Sequence, residues 1–252
     1  MSQPSNDPLT DAFFALHHRL PRQGPGSDAT TRRLMELAGP LPKRPRALDA
    51  GCGPGRATLI LAADAGARVT GVDLHQPFLD ELDAAAARKG LTGQITTLNC
   101  SMDDLPHPDH SFDVIWAEGS AYTIGFDTAL RGWRRLLAPG GVLVVTEVEW
   151  TTASPSPRTR AFWDPAYPLR TSEENSAAAE AAGYRVGAVL PLPERDWWEE
   201  YYTPLTARAD AADFATPGME QAVAAVREEI GLRRAHGSEY RYAGYVLRPV
   251  TG

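Results

Sequence analysis

The sequence feature that most constrains the fold is a short apolar run that leads directly into a glycine-rich turn. Residues 47–50 (ALDA) are typical of a buried strand, and Gly51-Cys52-Gly53-Pro54-Gly55 follows at once. An Ala- and Leu-rich helix comes next and extends to about Gly66. In an open α/β sheet, ligands bind outside the carboxyl ends of the strands, and the first turn between strand and helix is a usual place. The sequence therefore predicts an α/β fold with a ligand at this turn.

The alternation of strand and helix continues along the chain. Strands are predicted at residues 68–73, 94–99, 112–116 and 142–148. Helices are predicted at 9–20, at 28–38 with Asp28 as its cap, at 77–89 and at 128–138. In the second half we expect helices at 172–182 and about 217–234, and strands at 184–190 and 240–247. Strands that alternate with helices indicate a mostly parallel sheet covered on both faces.

Composition and charge limit the class of partner. A net charge of −7 opposes binding to nucleic acid, whose phosphates are neutralised by Lys and Arg side chains. No apolar run approaches the roughly 18 residues of a membrane span, and residues 1–11 carry no secretory signal. With only Cys52 and Cys100, free thiols in a reducing cytoplasm are expected. We therefore expect a cytoplasmic monomer or homodimer that engages neither nucleic acid nor membranes.

An acidic residue strengthens the interpretation of the glycine turn. Asp73 ends the second strand about 20 residues after the turn, where a carboxylate can bind both hydroxyls of a ribose. This pair also fits a nicotinamide-dependent oxidoreductase, which stays open as an alternative. However, Arg56 stands where a dinucleotide-binding loop normally has its third glycine. Asp49, just before the turn, would repel a pyrophosphate and suits an ammonium group.

Four segments in fixed order carry a more specific resemblance. They are ALDAGCGPGRAT, VTGVDL, SMDDLPHPDHSFDVIWAEG and LLAPGGVLVVTE, within residues 46–147. In this order and spacing they resemble the motifs of class I S-adenosylmethionine-dependent methyltransferases, of the type 11/25-like bacterial small-molecule group. The flanks RQGPGS, WAEGSAYTIGF, FWDPAYP and WWEEYYTPL resemble the same group.

The resemblance implies a Rossmann-like sheet of seven strands, with the last strand antiparallel, and S-adenosyl-L-methionine as cofactor. We expect one domain over residues 1–252. Its N-terminal helical cap spans 1–45, its cofactor-binding core 46–150, and the C-terminal half 151–252 completes the sheet and the acceptor pocket. A non-catalytic protein that binds S-adenosylmethionine is a further alternative.

Residue by residue, the resemblance also implies a cofactor site. Its members follow the carboxyl ends of the first four strands, and they are Asp49, Gly51, Cys52, Gly53, Asp73, Leu74, Ser101, Met102, Asp103, Ala117 and Glu118. Asp49, Gly51 and Gly53 would surround the methionine part, and Asp73 the ribose. Leu74 would lie against the adenine, with residues 101–103 at its edge. Ala117 and Glu118 would lie beside the sulfonium.

Methyl transfer is an in-line displacement that needs orientation and desolvation and no metal. Acceptors such as hydroxyls also need a base, and Glu118 and His75 are the candidate catalytic residues by position, ahead of Glu147 and Glu149. A structural hydrogen bond for Glu118 and a solvent-facing ring for His75 are the alternatives. The carboxylates and histidines of residues 103–110 are interrupted by two prolines, so no metal site is predicted there.

The acceptor pocket is expected over the sulfonium, between the flanks of the core. Residues 22–27 would cover it from the N-terminal side, and the predicted acceptor residues are Arg22, Gln23, Gly24, Tyr122 and Trp150. About half of the C-terminal aromatic side chains are expected to serve ordinary packing, and the others to line the pocket. The acceptor itself is a small molecule that the sequence does not identify.

Overall fold

A computed structural model of the chain describes residues 7–250. Predictions that concern residues 1–6 and 251–252 lie outside the described residues. The described helices are α1 (Pro8–His17), α2 (Asp28–Ala38), α3 (Arg56–Asp64), α4 (Gln76–Lys89), α5 (Phe126–Arg134), α6 (Pro157–Trp163), α7 (Ser172–Ala181), α8 (Arg195–Trp197), α9 (Thr203–Asp210) and α10 (Met219–His236). A 3₁₀ turn spans Ala121–Thr123, and a π-helical turn spans Trp198–Tyr202.

The strands are β1 (Arg46–Ala50), β2 (Arg68–Asp73), β3 (Ile95–Asn99), β4 (Phe112–Glu118), β5 (Leu137–Trp150), β6 (Arg170–Thr171), β7 (Tyr184–Pro191) and β8 (Tyr240–Pro249). Their order is β3-β2-β1-β4-β5-β8-β7, and the short β6 pairs with β5 at one end. Only β8 runs antiparallel to its neighbours within the described sheet. The predicted mostly parallel α/β sheet with an antiparallel last strand is confirmed, and the two-residue β6 was too short to be recognised in the sequence.

Strand register brings the acidic residues to one edge of the sheet. Asp49 of β1 pairs in register with Gly71 of β2 and with Trp116 of β4. Because these strands are parallel, their carboxyl ends meet at the same edge, which carries Asp73 and Glu118 as the last residues of β2 and β4. The order of the strands therefore assembles a site from residues far apart in sequence.

Several predicted bounds differ from the structure. The helix expected to reach residue 138 ends at Arg134, because the following residues pair with β4: the amide of Phe112 donates to the Leu136 carbonyl. Ser27, rather than Asp28, caps α2, since its hydroxyl accepts from the Thr30 amide at 3.1 Å. Residues 203–210 form a helix that the aromatic composition of this region had obscured.

The interior divides into clusters on the two faces of the sheet and one under the C-terminal helices. The last of these packs α1, α9 and α10 against the ends of β5 and β8, through side chains that include Leu16, Trp197, Tyr202 and Tyr240. Most of the aromatic side chains of the C-terminal half belong to this cluster or pack against it. Within residues 7–250, every helix is too short or too polar to cross a lipid bilayer.

Gly55 and Gly66 have similar positive φ angles but differ in how closely other side chains pack around them. Gly55 has φ +84°, and a Cβ at this position would overlap the buried Leu82 side chain. Gly66 has a similar φ of +63°, with nothing within 4 Å of its Cβ position. We expect Gly66→Ala to lose about 1 kcal/mol of unfolding free energy for the backbone conformation alone. Gly55→Ala should lose roughly 1–3 kcal/mol more, because it also displaces a packed leucine. Urea unfolding measures both, and equal losses would contradict this account.

Candidate active site

A cavity of about 700 Å³ opens at the carboxyl edge of the sheet. Its walls come from the glycine turn after β1, the ends of β2 and β4, the segment before α2, and aromatic side chains of the C-terminal half. This volume lies within the range of roughly 300–1,000 Å³ that is typical of small-molecule pockets.

Most of the predicted cofactor residues line this cavity. They are Asp49, Gly51, Cys52, Gly53, Asp73, Leu74, Ser101, Met102 and Glu118. Leu74 is 57% exposed there, which leaves an apolar side chain free for a flat ring. Ala117 and Asp103 do not line the cavity. Ala117 pairs with Val145 and its side chain lies in the core, whereas Asp103 sits in an exposed turn.

The carboxylate of Asp73 links two parts of the site. Its Oδ2 accepts from the Gly53 amide at 2.9 Å, and its Oδ1 accepts from the His75 amide at 2.8 Å. Burial raises the pKa of this carboxyl. Each carboxylate oxygen can accept more than one hydrogen bond, so both oxygens retain capacity for ligand hydroxyls.

Backbone geometry keeps the first turn close to the strand ends. Gly51 has φ +71°, and a Cβ there would overlap the Ser120 side chain. The Ser120 hydroxyl in turn donates to the Ala50 carbonyl at 2.6 Å. The segment after β4 is thereby held against the turn after β1, and glycine is required for this approach.

Asp49 is a buried carboxyl at the floor of the cavity, only 2% exposed. The Thr58 hydroxyl donates to its Oδ2 at 2.5 Å. Burial raises the pKa of Asp49 to about 7, the Thr58 hydrogen bond opposes this, and the negative charges of Glu118 and Asp73 add to it. A cationic ligand group nearby would stabilise the ionised form.

Arg22 is the centre of an ionic network at the cavity wall. Its guanidinium, 6% exposed, donates from Nη1 to Glu118 at 2.7 Å, from Nη2 to Asp28 at 3.3 Å and to the Thr31 hydroxyl at 3.0 Å, and from Nε to Glu200 at 3.3 Å. These partners belong to β4, α2 and the π-helical turn. The predicted acceptor residue Arg22 therefore lines the cavity with its charge already matched by carboxylates.

Glu118 is surrounded by donors. Besides Arg22, the Thr31 hydroxyl donates to its Oε1 at 2.7 Å and the Trp116 indole donates at 2.9 Å. Both carboxylate oxygens of Glu118 are therefore occupied by hydrogen bonds from side chains of the protein. This environment favours the structural role for Glu118 over that of a catalytic base.

His75 does not line the cavity, contrary to its candidacy as a base. Its ring stacks on Phe14 of α1 with centroids 3.9 Å apart, and its Nε2 lies 2.8 Å from Nε2 of His18. Burial and the neighbouring His18 lower the pKa of His75. The ring thus anchors the N-terminal helix to the loop after β2.

The predicted acceptor residues separate into two groups. Gln23, Gly24 and Tyr122 line the cavity, Tyr122 with 42% exposure, and both amide atoms of Gln23 are buried without a hydrogen-bond partner. Trp150 does not line it, in contrast to the prediction. Its ring shares the face of β5 with Val148, which lines the cavity, but lies two residues further along, where the Arg160 guanidinium of α6 covers it at 5.8 Å.

The structure adds residues that sequence reasoning missed, chiefly Glu229 of α10 and Tyr242 of β8. The Tyr202 hydroxyl donates to Oε1 of Glu229 at 2.7 Å, and burial raises the pKa of this carboxyl. A signal was present: Glu229 follows Ala222 and Val226 at spacings of seven and three, which places an acidic residue on the apolar face of the helix.

The segment that carries the glycine turn is similar to known methyltransferases. Residues 48–145 match the family model described as a methyltransferase domain. The chain is 33% identical over 121 residues to a 27-O-demethylrifamycin SV methyltransferase of Amycolatopsis mediterranei (strain S699), covering 47% of this chain and 44% of that protein. The match thus spans less than half the length of that relative.

Two solved structures share the fold over nearly the whole chain. An S-adenosylmethionine-dependent methyltransferase from Geobacter sulfurreducens, in complex with S-adenosyl-L-homocysteine, superposes with a TM-score of 0.81 at 20% identity, covering 95% of this chain and 98% of that one. The (4+2) cyclase SpnF superposes with a TM-score of 0.75 at 24% identity, covering 97% and 93%.

The glycine turn and the end of β4 lie in the segment that matches the methyltransferase domain, and these similarities support the predicted resemblance to class I S-adenosylmethionine-dependent methyltransferases. The predictions of family, fold class, enzyme class and S-adenosylmethionine as cofactor are confirmed at this level. They are favoured over the nicotinamide-dependent alternative.

The pKa of Asp49 leads to a pH prediction. We expect the affinity for S-adenosyl-L-homocysteine, which carries an ammonium group, to rise up to about tenfold between pH 6 and 8 as Asp49 loses its proton. Calorimetric titrations across this range should show the rise in the wild type and a much flatter profile in Asp49→Asn. Thr58→Val, which removes the opposing hydrogen bond, should shift the rise to higher pH. The same slope in Asp49→Asn would show that Asp49 does not hold the ammonium.

Proposed function

We propose that the protein transfers the methyl group of S-adenosyl-L-methionine to a small-molecule acceptor. The observation that carries this proposal is one continuous cavity. It begins at the glycine turn and Asp73, passes Glu118 and Gly119 at the end of β4, and continues between aromatic side chains of the C-terminal half. A cofactor and an acceptor can therefore meet beside the end of β4 within one cavity.

The residues present fit this cofactor. Asp73 has acceptor capacity for the ribose hydroxyls, and Leu74 offers an apolar surface to the adenine. The acidic floor at Asp49 suits the ammonium group. The unpartnered amide of Gln23, which lies over Gly53, has donors and an acceptor available for the ligand.

When bound, S-adenosyl-L-methionine supplies an electrophilic methyl carbon on sulfur. The contribution of the protein is to orient the two reactants in line and to exclude water, which together lower the barrier without an added nucleophile. Arg22 and Glu118 hold the N-terminal segment over the end of β4 and so close the cavity on one side. The proposal assigns positioning roles to Glu118 and His75.

The proposed setting is cytoplasmic, with a monomer or homodimer as the working unit. Both cysteines are free in the structure, which fits a reducing compartment. The net charge of −7 supports an acceptor other than nucleic acid. A protein that binds S-adenosyl-L-methionine without transferring its methyl group is the second candidate, because the same fold occurs in a protein described as a (4+2) cyclase.

Cofactor binding is tested at the ribose position. Asp73→Ala should weaken binding of S-adenosyl-L-homocysteine by roughly tenfold or more, because a charge-assisted hydrogen bond is worth about 1.5–3 kcal/mol. Isothermal titration calorimetry measures this. The matched control is Asp80→Ala, because Asp80 is exposed, accepts a hydrogen bond from Gln76 of its own helix and does not line the described cavity. An Asp73→Ala variant with wild-type affinity would refute the assignment.

Turnover is tested separately with S-adenosyl-L-methionine labelled on its methyl group. Incubation with a panel of aromatic amines, alcohols and phenols should yield labelled product, detected by mass spectrometry. Cofactor binding at one site per chain without transfer to any acceptor class would favour the non-catalytic candidate.

A further inference from the structure

The acceptor end of the cavity contains one carboxyl group that lacks a cationic partner. Glu229 lines the cavity, and the Tyr202 hydroxyl donates a hydrogen bond to its carboxyl group. Among residues 7–250, no arginine, lysine or histidine nitrogen lies within 4.0 Å of its carboxyl oxygens. A carboxylate removed from water without a counter-ion is unfavourable, so a cation from the ligand would be strongly stabilising at this position.

Aromatic rings surround this carboxyl. We call this end of the cavity the aromatic chamber, and its members are Tyr122, Trp163, Tyr167, Trp197, Tyr201, Glu229 and Tyr242. Tyr122 packs edge-on against Tyr167 at 5.8 Å, and Trp197 lies 5.4 Å from Tyr242. Aromatic faces attract cations through their quadrupole. One such face is already used in this way, since the Arg233 guanidinium lies 4.0 Å above the Trp197 ring.

Among residues 7–250, no arginine or lysine lines the aromatic chamber. His17 lines the cavity with its Nε2 3.5 Å from the Tyr201 hydroxyl, and burial lowers the pKa of its ring, which favours the neutral form. The arginines that line the described cavity are Arg22 and Arg56, and both lie toward the glycine turn. Arg22 pairs with three carboxylates, and Arg56 donates to both oxygens of Asp28 at 2.6 and 3.0 Å. A second acidic group, Glu147, is buried beside Tyr167 at the edge of the chamber. Burial raises the pKa of Glu147 to about 8, so this carboxyl also supplies no positive charge for an anionic ligand.

We propose that the aromatic chamber binds an apolar acceptor through a cationic amine, with Glu229 as the anionic anchor and the aromatic rings enclosing the apolar part. The inference rests on the proposed function, because it names the acceptor class of the same cavity. It makes Glu229 a specificity-determining residue for charge: amines are favoured, alcohols are bound less tightly, and carboxylates are rejected.

The test uses three probes that share a phenyl ring and differ in charge: 2-phenylethylamine, 2-phenylethanol and phenylacetate. Their dissociation constants are measured by ligand-observed NMR on the full chain saturated with S-adenosyl-L-homocysteine. In the wild type we expect the amine to bind roughly tenfold more tightly than phenylacetate, as one charge-assisted hydrogen bond implies. Phenylacetate or the alcohol binding as tightly as the amine, or no binding of the amine, would overturn the proposal.

The variant Glu229→Gln keeps the size of the side chain and removes its charge. It should weaken amine binding roughly tenfold and leave the alcohol within about twofold. Glu228→Gln is the matched control, because Glu228 is the adjacent residue on α10 and pairs with Arg158 on the exposed surface at 2.6 Å. An unchanged preference for the amine in Glu229→Gln would refute the role of Glu229. Wild-type affinity for S-adenosyl-L-homocysteine in this variant confirms that it is folded.

The outcomes separate this inference from the proposed function. Selective amine binding without methyl transfer from labelled S-adenosyl-L-methionine would sustain the chamber assignment and contradict the proposed activity. Transfer of the label to carboxylate-bearing acceptors, with amines ignored, would sustain the activity and contradict the chamber assignment. The wild-type selectivity measurement needs no variant, so the inference remains testable even if Glu229→Gln fails to fold.

Discussion

The structure depends most on one buried guanidinium, that of Arg22. Its three carboxylate partners belong to α2, to the end of β4 and to the π-helical turn, so a single charge joins the segment before α2 to the sheet and to the C-terminal half. Breaking a buried ion pair by removing one partner costs about 3–5 kcal/mol, since the other charge is left uncompensated. The shape of the cavity wall is therefore tied to an electrostatic balance rather than to packing alone.

The same balance divides the cavity into two regions with different electrostatics. Toward the glycine turn, arginines and carboxylates neutralise one another, and Asp49 remains as an acidic group that burial keeps close to protonation. Toward the C-terminal wall, aromatic rings line the cavity, and within residues 7–250 Glu229 has no basic side chain as a partner. Buried carboxyl groups of this kind reduce folding stability and are typical of binding sites, where a ligand supplies the missing charge.

Sequence reasoning succeeded where function follows from a local motif. The glycine turn and Asp73 lie in one strand-turn-helix unit and the next strand, so their spacing alone placed them together. It failed where a side chain depends on distant packing. Trp150 was expected at the opening because it ends a strand, but α6 covers it, and no local pattern indicates where that helix lies. The spacing along α10 places Glu229 on an apolar helix face, but no local pattern indicates that this face lies over the cavity.

The position of β8 has a consequence for the order of assembly. β7 pairs with β8 alone among the described strands, and β8 in turn lies between β7 and β5. β7 therefore emerges from the ribosome with no neighbour to accept its hydrogen bonds, and it joins the sheet only after residues 240–249 have been made. Tyr242, which lines the aromatic chamber, is part of β8 and is therefore synthesised at the same stage. The turn that receives the cofactor can thus form from the first half of the chain, whereas the wall of the aromatic chamber and the edge of the sheet are completed in one late step.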